Sequence, residues 1–224
     1  MGAILELQGV SMSFGGLKAV ADLSFEVREN EIVSIIGPNG SGKTTTFNVI
    51  SGLYEPDSGD ILLKGESVAG LRPDQVHDKG ISRTFQSLRL FSNMSVLENV
   101  LVGMHSVTDA GVVASMLRLP SVRREEAAMR AKAQEILAMF PGRFSGPRQQ
   151  QPAFSLSYAN RRRLEIARAL ASEPVLLLLD EPVAGMNPME SREVMEQIKI
   201  LRDKGFTILM IEHDMHVVEG VSDR

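Results

Sequence analysis

Residues 31–44, EIVSIIGPNGSGKT, carry the clearest structural pattern in the chain. The stretch opens with a short run of β-branched residues, which is typical of a strand buried on both faces. It then enters GPNGSGKT, residues 37–44, which fits the pattern G-x-x-x-x-G-K-[ST], and a helical pattern follows. A glycine-rich turn can match this pattern by chance, but the strand before it and the helix after it favour a phosphate-binding loop.

The residue types of this loop suit the binding of a nucleotide. Glycines let successive backbone N–H groups turn inward around anionic oxygens, and the start of the following helix adds a positive dipole end. Lys43 supplies a mobile charge for the β- and γ-phosphates, and the hydroxyl of Thr44 can ligate Mg²⁺. The predicted nucleotide contacts are Gly37, Asn39, Gly40, Ser41, Gly42, Lys43, Thr44 and Thr45.

A second apolar run, VLLLLDE at residues 175–181, supplies acidic residues for the same site. Asp180 ends the run, at the edge where open parallel sheets bind their ligands. An acidic helix cap is the alternative, but the phosphate loop favours a Mg²⁺ ligand. Glu181 follows at the turn of the backbone, where a carboxylate can orient a water for attack on the γ-phosphate, and we predict that it is the catalytic base.

Composition excludes several classes of function. The chain has 224 residues, a net charge of −4 and no cysteine, which rules out disulfides, thiolate metal sites and cysteine nucleophiles. A mildly acidic chain is a poor candidate for non-specific binding of nucleic acid. No apolar run approaches the ~20 residues of a membrane span, so a membrane role would need a partner.

The order of patterns along the chain predicts an α/β fold. Alternating apolar and polar residues indicate strands in 3–14 and 21–30, and residues 59–68, GDILLKGESV, are expected to form one more strand. Apolar positions three and four apart predict amphipathic helices in 94–104 and 124–140. After residue 160 the pattern runs helix, strand, helix, strand, which indicates a parallel sheet with crossover helices.

Together these motifs resemble the ATP-binding subunits of ABC transporters over nearly the whole chain. The resemblance implies a P-loop NTPase core with a mostly parallel sheet, an N-terminal antiparallel β subdomain and an inserted α-helical subdomain. The core and β subdomain would comprise residues 1–84 and 161–224, and the helical subdomain with its signature motif would comprise residues 85–160. It also implies that ATP and Mg²⁺ are the cofactors.

The resemblance assigns further site residues. Gln86 in RTFQSLRLF matches the Q-loop glutamine, a Mg²⁺ ligand that senses the transport partner, and His213 in MIEHDM matches the switch histidine at the γ-phosphate. Phe14 lies where the family places an aromatic residue on adenine, and residues 184–187, AGMN, match the D-loop. Taken singly, Gln86 could be a surface residue, Phe14 a core residue, and His213 half of a metal pair with His216. Their order along the chain favours the nucleotide roles.

Residues 156–160, LSYAN, occupy the place of the signature L-S-G-G-Q at the start of a helix. There Ser157 and Ala159 would reach the ATP held by a second subunit. Ala159 replaces a glycine, which costs roughly 1–2 kcal/mol if the position needs a positive φ, whereas alanine is favoured by about 0.5–1 kcal/mol if the position is helical. The three arginines that follow, 161–163, are expected in exposed first turns, facing acidic or phosphate-proximal surfaces rather than nucleic acid.

The amino-acid sequences of these motifs are most similar to those of ATP-binding subunits of branched-chain amino-acid importers. This implies an ATPase that powers transport. Its partners would be a second ATP-binding subunit (homo- or heterodimer), transmembrane permease subunits and, indirectly, a solute-binding protein. Nucleic acid is not expected as a partner. The chain would lie on the cytoplasmic face of the inner (plasma) membrane, held there by the permease.

Two alternatives stay open from the sequence. One is an ATP-binding ABC-type regulatory module with weak hydrolysis, suggested by the altered signature and by the end of the chain at VSDR, residues 221–224, where family members continue. We expect that end to be a truncation that leaves an open sheet edge. The other is a soluble ABC protein of DNA repair or translation, but those carry long coiled coils or tandem cassettes, and neither is present.

Overall fold

The chain folds into two compact units. The structure is a computed structural model, and it describes residues 2–104 and 120–224. Unit 1 comprises Met1–Gln86 and Pro174–Arg224, and unit 2 comprises Ser87–Glu173. The helical insertion predicted at 85–160 ends inside a helix of unit 2, and its residues 105–119 lie outside the described residues.

Unit 1 contains a four-stranded antiparallel sheet built from the first third of the chain. Its order is β2-β1-β4-β5, and the strands are β1 Ala3–Phe14, β2 Leu17–Arg28, β4 Ser58–Leu63 and β5 Glu66–Ser67. This sheet is the predicted antiparallel β subdomain, which is confirmed. The segment 59–68 is a hairpin and not one strand, because Lys64 (φ 51°) and Gly65 (φ 79°) turn the chain in two residues with positive φ, the backbone that two-residue hairpins prefer.

The second sheet of unit 1 is parallel and carries the nucleotide motifs. Its order is β3-β8-β7-β6, and the strands are β3 Ile32–Ile35, β6 Ile81–Arg83, β7 Leu176–Asp180 and β8 Ile208–Ile211. All five residues of β7 are buried, as expected of a strand covered on both faces. Strand β6 was not predicted, because three residues are too few to show a period.

Four helices complete the described part of unit 1. They are α1 Lys43–Ile50, α2 Pro73–Asp78, α6 Pro188–Asp203 and α7 Met215–Val221. The phenyl ring of Phe47 on α1 lies in a core cluster with Leu5 and Ile61 of the antiparallel sheet and Leu178 and Leu209 of the parallel sheet. Helix α1 is therefore fixed against both sheets, and so is the phosphate loop at its start.

Unit 2 is helical, as predicted. Its described helices are α3 Val96–Gly103, α4 Pro120–Ala138 and α5 Tyr158–Leu170, with short 3₁₀ turns at Gly146–Gln150 and Ala153–Ser155. Helix α3 packs closely on α5, since a Cβ at Gly103 would lie 2.3 Å from the carbonyl oxygen of Arg168. No helix in the described ranges has both the length and the apolar character needed to cross a bilayer.

The expectation that the arginines of 161–163 are exposed is wrong for two of the three, since Arg161 is partly exposed. Arg162 and Arg163 are 0% and 1% exposed. Arg162 Nη1 lies 2.9 Å from Glu165 Oε2, and Glu165 Oε1 accepts the backbone N–H of Arg89 at 3.1 Å. Buried guanidinium groups need such partners. Two of the three arginines, Arg162 and Arg163, therefore lie inside unit 2.

Candidate active site

The phosphate loop depends on glycine for its shape. Gly40 and Gly42 have φ of 83° and 89°, in the left-handed region that other residues avoid. A Cβ at Gly42 would lie 2.2 Å from the carbonyl oxygen of Ala19, and one at Gly37 would lie 2.7 Å from Ser41 Oγ. The loop is therefore wrapped as tightly as the sequence pattern predicts.

Lys43 lies over this loop. Its Nζ donates to the carbonyl oxygens of Gly37 and Pro38, at 2.6 and 2.8 Å, and the residue is 8% exposed. Gly42, the N-cap of α1, provides no side-chain cap, so no capping side chain occupies the N–H groups of the first turn. A positive side chain above uncapped N–H donors is an arrangement suited to an anion.

Asp180 ends strand β7 and is held by two neighbours on the β6 side. Arg83 Nη2 lies 3.0 Å from Asp180 Oδ2, and the side chains of the pair are 6% and 5% exposed. The hydroxyl of Thr84 accepts the backbone N–H of Asp180 at 3.3 Å, and Thr84 N donates to Leu178 O at 2.9 Å, which continues the backbone pairing beyond the end of β6. Neither Arg83 nor Thr84 was predicted from the sequence.

Glu181 lies between two of the predicted site residues. Its φ is 47°, so the backbone leaves the strand direction at this residue. Gln86 Nε2 donates to Glu181 Oε2 at 3.2 Å, and His213 Nδ1 lies 3.8 Å from Glu181 Oε1. The structure therefore brings together three side chains that lie far apart in the sequence.

Glu212, next to His213, is a buried carboxyl that sequence reasoning missed. It is 1% exposed and accepts the backbone N–H groups of Val183 at 3.5 Å and His213 at 3.3 Å. Burial raises the pKa of Glu212, and the nearby charge of Glu181 adds to the rise. The weak sequence signal is an acidic residue directly after the apolar residues 208–211, as Asp180 follows the apolar residues 176–179.

Phe14 is exposed and pairs with a second aromatic residue. The rings of Phe14 and Tyr54 lie 5.3 Å apart at 76°, in an edge-to-face pair. Their exposed fractions are 45% and 39%, so the alternative that Phe14 is a core residue is excluded. Tyr54 was not predicted, because nothing in its sequence context relates it to Phe14.

The oxygen atoms at this edge are of the kind that suits a magnesium ion shared with a nucleotide. Among residues 2–104 and 120–224, no group of three His, Cys, Asp or Glu side chains could hold a metal alone. Mg²⁺ is usually held by one or two carboxylates together with substrate phosphates. Asp180 and the hydroxyl of Thr44 are donors of that kind, beside a loop that suits phosphate.

The signature residues start helix α5 in unit 2. The side chain of Ser157 is the N-cap and accepts the backbone N–H of Asn160 at 3.4 Å. Ala159 is the second residue of the helix, is 1% exposed and has no positive φ. Of the two conformations considered for Ala159, the structure supports the helical one, in which alanine is favoured over glycine.

In unit 1, Asn187 of the D-loop segment similarly caps α6, and its side chain accepts the backbone N–H of Glu190 at 3.0 Å.

Comparison with known proteins agrees with this geometry. A sequence model of the family described as "ABC transporter" matches residues 20–184. The chain belongs to the ABC transporter family. The family resemblance and the fold class predicted from the sequence are both confirmed.

Named relatives are similar over almost all of the chain. The high-affinity branched-chain amino acid transport ATP-binding protein LivG of Escherichia coli (strain K12) is 45% identical over 222 residues, which are 99% of this chain and 86% of that protein. BraF of Pseudomonas aeruginosa, described in the same words, is 43% identical over 98% of this chain and 86% of its own length. A crystal structure of the ADP conformation of an ATP-binding cassette superposes with a TM-score of 0.85 at 32% identity, covering 100% of this chain and 86% of that one.

Proposed function

We propose that this chain binds and hydrolyses ATP as the motor subunit of an ABC importer for branched-chain amino acids. The observation that carries the ATPase part is the pairing, within unit 1, of a glycine loop closed by Lys43 with a Glu181 carboxylate held between Gln86 and His213. The solute class is supported by the names of the relatives.

Each residue of the site has a role in this proposal. The loop N–H groups and Lys43 bind the β- and γ-phosphates. To do so, the ammonium of Lys43 gives up its hydrogen bonds to the carbonyl oxygens of Gly37 and Pro38 and donates to phosphate oxygens instead. Asp180, the Thr44 hydroxyl and Gln86 would hold Mg²⁺. When bound, the ion neutralises charge that develops on the phosphate oxygens.

The same proposal assigns the steps of proton transfer and orientation. Glu181 accepts a proton from the attacking water, and His213 contacts the γ-phosphate and fixes its position. Phe14 stacks on the adenine ring, with Tyr54 supporting it from the edge. Ser157 and the helix start at Ala159 face the γ-phosphate of an ATP bound by a second subunit, so two chains cover two nucleotides.

A surface of unit 2 supports the proposal of a permease partner. Phe91, Met94 and Phe154 are 47%, 38% and 56% exposed. They lie close together, since Ala153 N donates to Met94 O at 2.9 Å and Phe154 N donates to Ser92 O at 3.0 Å. Exposed apolar clusters of this kind mark protein contacts. A permease bound there would hold the chain at the cytoplasmic face of the inner membrane and connect it indirectly with a solute-binding protein.

The first experiment measures phosphate release from Mg·ATP by the purified chain. We expect turnover, loss of ATP binding in K43A, and no change in the control K204A, which removes an exposed lysine at the end of α6. ATP binding without phosphate release would support the regulatory module instead, and absence of Mg·ATP binding would overturn the proposal. The solute is tested by co-purifying the permease from membranes and measuring ATP-dependent uptake of leucine, isoleucine and valine into vesicles.

A further inference from the structure

Arg83 is a buried arginine next to the proposed metal ligand, and neither the motifs nor the family comparison assigns it a role. It is the last residue of β6, and its side chain is 6% exposed. Its Nη2 lies 3.0 Å from Asp180 Oδ2. Its Nη1 donates to Asn48 Oδ1 at 2.8 Å and to Ser51 Oγ at 3.0 Å. One guanidinium group thus joins the end of β7 to the last turn of α1.

Two aromatic rings enclose the same group. The Cζ atom of Arg83 lies 5.4 Å from the ring centroid of Phe47 and 5.1 Å from that of Phe85. Both distances are within the range of cation–π attraction. Hydrogen bonds to Asp180, Asn48 and Ser51 and the two rings therefore fix the planar guanidinium, an arrangement that the compact ammonium of a lysine could not reproduce.

We propose that Arg83 is a positioning residue, which holds the Asp180 carboxylate in the rotamer that receives Mg²⁺. This inference rests on the proposed function, since it requires Asp180 to be a ligand of the ion. Arg83 binds Oδ2 and Thr84 holds the backbone N–H, so Oδ1 of the carboxylate is not used by either contact. Because Arg83 is also bonded to α1, it sets the position of Asp180 relative to the helix that begins at Lys43.

A neutral side chain at residue 83 would leave the buried Asp180 without its partner. An unpaired buried carboxylate is unfavourable and shifts or recruits water to regain hydrogen bonds. The bonds from Arg83 to α1 are made to Asn48 and Ser51 near the end of the helix, whereas the phosphate loop precedes its start. The loss should therefore fall on the binding of Mg²⁺ and not on the metal-independent binding of the nucleotide.

The test compares ATP binding with and without the ion in R83Q. A fluorescent ATP analogue is titrated at increasing Mg²⁺ and again in excess chelator. We expect the half-saturating Mg²⁺ concentration to rise about tenfold, which corresponds to an interaction energy of the size that contacting residues show. The affinity for the analogue in chelator should stay unchanged. R83K should be intermediate. R72Q, which removes an exposed arginine paired with Asp74, should match the unmodified chain.

A double-mutant cycle with D180N separates positioning from a general structural role. If Arg83 acts through Asp180, R83Q adds nothing to the Mg²⁺ requirement of D180N. The inference would be overturned if R83Q had equal effects in both backgrounds, or if folded R83Q had an unchanged Mg²⁺ requirement. Thermal unfolding shows whether R83Q is folded. If it is not, the Mg²⁺ requirement of R83K is measured in its place. Loss of Mg·ATP binding in the unmodified chain would instead refute the proposed function itself.

Discussion

The side-chain amide of Gln86 donates a hydrogen bond to Glu181 Oε2 at 3.2 Å. The other carboxylate oxygen of Glu181 lies 3.8 Å from His213 Nδ1. The proposed base is thus oriented from two loops that follow different strands of the parallel sheet. The bond to Glu181 uses the NH₂ of Gln86 and not its carbonyl oxygen, which is the atom able to ligate a cation.

Replacement of Glu181 by glutamine tests its proposed chemistry. E181Q keeps the size of the side chain and an acceptor oxygen, but it cannot take a proton from water. We expect phosphate release to fall at least about a hundredfold, as general-base catalysis supplies 10²–10⁴, while the affinity for the ATP analogue is retained. Brisk hydrolysis by this variant would remove Glu181 from the role.

Replacement of Phe14 by alanine tests the adenine contact. Stacking of a base on an aromatic ring is worth about 1–3 kcal/mol, so F14A should raise the dissociation constant for ATP about tenfold, whereas F14Y should keep it. Y54A should have a smaller effect, since Tyr54 meets the Phe14 ring only at its edge. I200A, which trims an exposed apolar residue on α6, is the control. Equal ATP affinity in F14A and I200A would disprove the contact.

Replacement of Ala159 by glycine tests the altered signature. Because Ala159 is helical and buried, A159G should lower the free energy of unfolding by about 1 kcal/mol, measured in urea, and leave the rate of phosphate release unchanged. A faster rate in A159G would show that the alanine hinders the approach of this helix start to phosphate.

The buried pair of Arg162 and Glu165 should contribute strongly to the stability of unit 2. E165A leaves a guanidinium that is 0% exposed without this partner, and breaking a buried pair costs about 3–5 kcal/mol. E196A, which breaks an exposed pair with Lys199, should change stability by less than about 1 kcal/mol. Urea unfolding measures both, and a loss in E165A no larger than in E196A would contradict this account.

The sequence predicted the parts of the fold and site that depend on local patterns. Asp180 ends a recognisable strand, and the phosphate loop and Glu181 each follow one, so their positions could be inferred from the parallel sheet. Arg83 and Glu212 could not be found in this way, because their roles come from partners nearly a hundred and nearly thirty residues away in the chain. Charge alone led to the wrong expectation that Arg162 and Arg163 are exposed. A sequence shows that a residue is polar, but it does not show that the fold provides a buried acceptor for it.

Glu212 makes the stability of the fold depend on pH. Burial raises its pKa above the ordinary value of 4.5, and this outweighs the hydrogen bonds from the backbone N–H groups of Val183 and His213, which oppose the rise. A carboxyl whose pKa is higher in the folded chain favours folding in its protonated form, so its stabilising contribution is complete below pH 4.5 and is lost as the pH rises through the raised value. E212Q cannot ionise and lacks this dependence.

The melting temperature should therefore be measured against pH for the unmodified chain and E212Q. We expect the difference, unmodified chain minus E212Q, to be most positive at acid pH and to decrease once the pH exceeds 4.5. E219Q, which neutralises an exposed glutamate on α7, should follow the unmodified chain throughout. A difference that grew with rising pH would mean that the folded state stabilises the Glu212 carboxylate, which would require its two backbone N–H donors to outweigh the loss of hydration.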